Sequence, residues 1–132
     1  MNRVVVRFAD GRLLKGTTSD FLPGRETFHV VAVSAAPGSA AVEVRIRDLK
    51  GVFFVKEYEG NPKHVDKKQF DPSRPPAGRR IRVVFKDGEV FVGTTQGYQP
   101  DRPGYFVVPA DPATNTERCY VVAASTKEVS FL

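Results

Sequence analysis

Residues 4–55 of this 132-residue chain fall on residues 81–132 when shifted by 77 positions, with no gap. The register pairs Phe8 with Phe85, Asp10-Gly11 with Asp87-Gly88, and Gly16-Thr17-Thr18 with Gly93-Thr94-Thr95. It continues through Pro23/Pro100, Arg25/Arg102, Val30-Val31/Val107-Val108, Val44/Val121, Lys50/Lys127, Val52/Val129 and Phe54/Phe131. Val6/Val83 and Ala36/Ala113 bring the total to 16 identities in 52 pairs, where unrelated sequences would share about three or four. A chain so repeated is expected to fold from two copies of one small unit: 1–56, then a linker at 57–79, then 80–132. A unit of that size buries only roughly 60% of the surface its unfolded chain exposes, so the copies should pack together or gain stability by oligomerising.

Each copy reads as five short strands. Val4, Val6 and Phe8 alternate with Val5 and Arg7, the period of a half-buried strand, and Ile81, Val83 and Phe85 repeat it. Asp10-Gly11 and Asp87-Gly88 supply hairpin turns, glycine accepting the positive φ and aspartate bonding local backbone. The return strands, 12–18 and 89–95, hold Gly16 and Gly93, which mark a bend or a close backbone approach. Loops at 19–26 and 96–103 each contain an aromatic residue, a proline and an arginine. Further strands are expected at 27–33 and 104–109, 41–46 and 118–123, and 51–55 and 128–132. The last pair, 52–55 and 129–131, are the edges expected to pair between barrels. The linker is rich in proline and glycine, with a charged run at 63–68.

The pattern Phe-x-Asp-Gly-x-x-x-x-Gly, met at Phe8, Gly11 and Gly16 and again at Phe85, Gly88 and Gly93, resembles the first half of Sm-like and SH3-like barrels over about 30 residues of each copy. That resemblance implies an all-β protein of two tandem five-stranded Sm/SH3-like barrels related by internal duplication. The Asp-x-x-Met-Asn and Arg/Lys-Gly patterns with which Sm-like proteins contact RNA are missing: Asp20 has no Met-Asn after it, and the later turns read Arg47-Asp48-Leu49-Lys50 and Ala124-Ser125-Thr126-Lys127. Other stretches are Val-Arg-Phe-Ala-Asp-Gly at 6–11, Phe53-Phe54-Val55-Lys56, Gly60-Asn61-Pro62, and Val-Phe-Lys-Asp-Gly-Glu at 84–89. With 93–98 and 127–132 they carry a resemblance, over nearly the whole chain, to a bacterial family of duplicated small domains with no assigned activity.

Composition narrows the function classes. The net charge of +5 is uneven: residues 3–55 carry +3, 56–79 carry +2 and 80–132 carry zero. One basic half permits an anionic partner without demanding one. The single cysteine, Cys119, can form no internal disulfide and falls on Val42 in the repeat, so it reads as a buried strand thiol. No signal peptide and no membrane-spanning run is expected, which points to the cytoplasm. His29 and His64 have no histidine or cysteine at ligand spacing, so no metal, cofactor or catalytic residue is expected, and the chain reads as no enzyme.

Binding surfaces remain. Arg45 and Arg47 alternate with Val44 and Ile46 and, with Arg3, Arg7, Arg12 and Lys15, could form a stripe that follows phosphates. Phe21 and Tyr98 would be the platforms for stacked bases, making single-stranded RNA the anionic alternative. Arg3-Val4-Val5-Val6-Arg7 also matches the Arg-x-x-x-Arg element of PilZ domains, which bind cyclic dinucleotides, but the companion Asp/Asn-x-Ser-x-x-Gly is incomplete at 71–78. Arg25 and Arg102, with Pro23 and Pro100, sit in loops that keep their pattern in both copies, where a protein partner would bind. The leading expectation is a non-enzymatic binding or scaffolding module for a protein partner. Head-to-tail association of barrels would make a homo-oligomer, three chains closing a pseudo-sixfold ring.

Overall fold

A computed structural model describes residues 2–36, 38–58 and 78–132. Ten strands run in chain order: β1 (Asn2–Phe8), β2 (Leu13–Thr18), β3 (Thr27–Ala32), β4 (Val42–Arg45), β5 (Leu49–Val55), β6 (Arg79–Phe85), β7 (Val90–Thr95), β8 (Gly104–Pro109), β9 (Thr116–Val122) and β10 (Thr126–Phe131). Short 3-10 turns at Ile46–Asp48 and Ala123–Ser125 precede β5 and β10. The bounds of β1, β2 and β3 recur 77 residues later in β6, β7 and β8, as does the first turn in the second. Most of the linker, with His64 and the stretch at 71–77, lies outside the described residues.

The hairpins form for the reasons the sequence gives. Gly11 and Gly88 take φ of +96° and +94°. Asp10 and Asp87 each accept a backbone N–H two residues on, from Arg12 and Glu89, at 3.0 Å. Gly16 and Gly93 are close-approach positions: a Cβ there would collide with the carbonyl oxygens of Val31 and Val108 on the neighbouring strands.

The strands do not divide into two barrels. They form one antiparallel sheet, not closed on itself, in the order β10-β6-β7-β8-β9-β5-β1-β2-β3-β4. The join is β5 against β9, with Gly51, Val52, Phe53 and Phe54 opposite Val121, Tyr120, Cys119 and Arg118. The pairing expected at 52–55 is present, and it puts β5 in the middle of the sheet, where all seven of its residues are buried. Among the described strands the two edges are β4 and β10, the latter containing the expected edge residues 129–131.

Two cores lie on opposite sides of this join, and side-chain alternation feeds both. Val52 and Phe54 of β5 enter the first core with Val4, Val6, Phe28, Val30 and Val44. Phe53 and Val55 enter the second with Ile81, Val83, Phe85 and Val107. β9 reciprocates: Tyr120 and Val122 belong to the first core, Cys119 and Val121 to the second. A strand buried on both faces reads as a continuous apolar run, which is what Val52-Phe53-Phe54-Val55 and Cys119-Tyr120-Val121-Val122 are. Each large side chain so buried contributes about 1.5–3 kcal/mol, so separating the halves would expose the walls of both cores.

Polar groups fasten the same join. Lys50, buried as a residue, donates to Asp87 at 2.7 Å and to Glu89, on the β6–β7 hairpin of the other half, and its ammonium stands 4.7 Å from the Phe85 ring. Ser125 Oγ donates to the Leu49 carbonyl at 2.8 Å. Asn115 exchanges hydrogen bonds with the backbone of Glu57.

Candidate surface site beside the free edge of β4

The outward faces of β3–β4 and β8–β9 share a backbone plan and differ in chemistry. On β8–β9, Phe106 lies opposite Tyr120 and Gly104 opposite Val122. This face docks on the first core, with Phe106 and Tyr120 5.3 Å apart and both against Phe21. At the corresponding places on β3–β4, His29 lies opposite Glu43 and Thr27 opposite Arg45. His29, Glu43 and Arg45 are all exposed.

His29 is held by two carboxylates: its Nδ1 is 2.7 Å from Asp20 and its Nε2 is 3.8 Å from Glu43. Asp20 also accepts the His29 backbone N–H at 2.9 Å and the Thr18 hydroxyl at 3.2 Å. The His29 N–H, followed by the ring, holds the Asp20 carboxyl below its ordinary pKa. In the other half this trio is replaced by Gly97, Phe106 and Tyr120. His29 thus occupies the place of a ring. Among the described residues no group of three His, Cys, Asp or Glu side chains is placed to hold a metal ion.

Beside this face runs a groove of about 560 Å³, lined by Arg25, Glu26, Thr27, Glu43, Arg45 and Arg47 of the first half and by Pro103, Val122 and Ala124 of the second. Arg25, Arg45 and Arg47, singled out in the sequence, are brought together here, all exposed and without an ion pair or side-chain hydrogen bond to any described residue. Strand alternation does not do it: β4 ends at Arg45, and Arg47 sits on the 3-10 turn. The turn folds back because the Ile46 N–H bonds the Glu26 carbonyl at 2.9 Å, drawing the Arg25 loop to the end of β4.

The other sequence candidates lie apart from the groove lining. Phe21 and Tyr98 are not open platforms. Phe21 meets Phe28, Phe54, Phe106 and Tyr120 edge-on at 5.1–6.0 Å, and Tyr98 packs on Tyr105 and Phe131 at 4.8 and 5.0 Å. Arg102 bonds Gln99 at 2.8 Å within its own loop. Arg3 donates to the Lys56 carbonyl at 2.8 Å, and Arg7 lies 5.3 Å over the Phe53 ring. Arg12 pairs with Asp10. The arginine stripe is therefore split, only Arg45 and Arg47 of its members lining the groove.

Cys119 is fully buried, and burial pushes its thiol well above the ordinary value, as befits a packed strand residue. Burial also raises Tyr105, whose hydroxyl finds no partner among the described residues. Sequence reading missed the Lys50 clamp, although Lys50/Lys127 and Asp10/Asp87 are shared positions. The signal lay in the one that differs, Arg12 against Glu89. Among the described residues no helix is long and apolar enough to cross a membrane.

No curated protein and no solved structure matches the chain. A family model, described as a family of unknown function (DUF6982), matches residues 1–132. On that match over its whole length, the chain belongs to the DUF6982 family.

Proposed function

We propose that this chain is a non-enzymatic binding or scaffolding module of the bacterial cytoplasm, derived by duplication of a five-stranded Sm- or SH3-like unit, and that its partner is a protein. The observation that carries the reading is the free outward face of β3–β4. Its counterpart on β8–β9 is consumed by packing, whereas His29 and Glu43 stay exposed beside the guanidinium groups of Arg25, Arg45 and Arg47, which pair with no carboxylate among the described residues. Loops and edges held by a rigid sheet are common places for recognition. Capture from native lysate, comparing wild type with an Arg25→Ala/Arg45→Ala/Arg47→Ala variant, tests it. Specific proteins retained by the wild type and lost from the variant support the reading. Identical recoveries would sink it.

The same arginines support RNA as the alternative ligand, because one guanidinium can donate two parallel hydrogen bonds to a phosphate. That reading predicts retention of mixed single-stranded RNA that weakens steeply with salt and falls on mutation of Arg45 and Arg47. It loses support from Phe21 and Tyr98, whose rings are engaged in packing. Cyclic-dinucleotide binding has weaker support, since Arg3 and Arg7 are engaged with Lys56 and Phe53. Calorimetry on wild type and Arg3→Ala tests it, and no heat of binding removes it.

A further inference from the structure

The β5–β9 join shows what the edge of a fourth strand accepts in this fold, and among the described residues β4 presents the same edge without a strand on it. The Ile46 N–H bonds Glu26 on the β3 side. Antiparallel alternation then turns the N–H and C=O groups of Val42 and Val44 toward β3, and those of Glu43 and Arg45 outward. In the same way the Tyr120 carbonyl of β9 faces β5. We infer that the free edge of β4 takes one extended segment of a partner protein by strand addition, with an acidic residue opposite Arg45. This inference rests on the protein-binding reading above and specifies its mode.

The join supplies the register. Phe53 lies opposite Cys119, Val52 opposite Tyr120 and Gly51 opposite Val121, and one further step places Lys50 opposite Val122. Transposed by 77 residues, the incoming strand meets Val42, Glu43, Val44 and Arg45. Val42 is 45% exposed and calls for an apolar residue. Glu43 calls for a basic one. At the place of Gly51, a Cβ would stand 2.9 Å from the Tyr120 carbonyl oxygen, so glycine belongs opposite Val44. Opposite Arg45, with Arg25 and Arg47 also lining the groove, the complement is a carboxylate. The segment thus reads acidic, glycine, basic, apolar from its N-terminus.

A second copy of this chain fits that register poorly. The strand it would offer is β10, which has Glu128 where the join needs Gly51 and would set Lys127 opposite Arg45. The hairpin that would receive Lys127 holds Arg12, already paired with Asp10, in the place of Glu89. Exposed Phe131 on β10 is covered in part by its own Arg79, 3.7 Å from the ring centroid.

The test is titration of a labelled peptide with the core Glu-Gly-Lys-Phe into the whole protein, against a charge-reversed control with the core Lys-Gly-Glu-Phe. The first peptide should bind at least tenfold more tightly and slow amide exchange at Glu43 and Arg45. Glu43→Pro removes one outward N–H without touching a β3 bond, and should abolish binding in a protein whose far-UV spectrum and melting are unchanged. Arg45→Glu should weaken the first peptide at least tenfold and shift preference toward the control. Equal affinity for the two peptides, no binding of either, or indifference to Glu43→Pro would overturn the inference. So would sedimentation showing self-association that Glu43→Pro abolishes, or mixed RNA bound through the arginines with no protection of β4. If lysate partners still depend on the three arginines while the peptide fails, strand addition is refuted and the protein-binding reading stands.

Discussion

The outward faces of β8–β9 and β3–β4 occupy equivalent places in the two halves, yet one is Phe106, Tyr120 and Val122 and the other His29, Glu43 and Arg45. The first packs against the neighbouring half, with Tyr120 and Val122 buried and Phe106 partly so; the second is exposed and polar. Most positions shared between the halves build turns, bends and core, Arg25 of the groove being an exception. The positions that differ decide whether a face is spent on folding or left for a partner.

Exchanging the counterparts should break this contrast most strongly. Tyr120→Ala empties a large site in the first core and should cost about 3–5 kcal/mol in denaturant unfolding. Glu43→Ala at the equivalent place should stay within about 0.5 kcal/mol. A comparable loss from both would erase the distinction between docked and free faces. The glycine of the join comes next: Gly51→Glu, which installs the residue found at 128, should cost about 1–3 kcal/mol by forcing strands apart. Melting of that variant unchanged from wild type would show the join tolerates β10-like sequence.

Lys50→Ala should follow, at roughly 1–3 kcal/mol for charge-assisted hydrogen bonds lost across the join, with a change in acid behaviour. Lys50 first, and the Glu89 N–H second, hold the Asp87 carboxyl below its ordinary 3.8. A depressed folded pKa stabilises at pH above the unfolded value, and that stability is lost as pH falls through the folded pKa. Wild-type melting should therefore decline below about pH 4, and part of that decline should vanish in Lys50→Ala. The smallest effect is at Asp20, half-exposed and depressed by the His29 N–H: Asp20→Asn should cost within about 0.5 kcal/mol. A larger loss would make the His29 clamp a structural element of the first half.

The strands and hairpins were legible because alternation and Asp-Gly turns are local. Gly16 and Gly93 were legible as close-approach sites for the same reason. The join was legible only on one side: residues 52–55 were expected to pair, but a repeat assigns equal strands to both halves and says nothing about which edge meets which, so β9 as the partner was not. Its trace was the run Val52-Phe53-Phe54-Val55, whose loss of alternation signals burial on both faces. Arg25, Arg45 and Arg47 stood out by residue type, and their meeting depends on the Ile46 to Glu26 bond that turns the chain. Phe21 and Tyr98 looked like platforms because loop aromatics are exposed by default, while the rings that cover them come from distant strands.

The central claim is that two interlocked cores make the halves one folding unit, leaving β4 as the free face. Amide exchange resolved along the chain, on wild type and Tyr120→Ala, tests it most directly. The slowest amides of β2 and β7, one strand from each half, should exchange with the same free energy and fall by the same amount in the variant. Two different free energies, with the variant lowering only one half, would contradict the account.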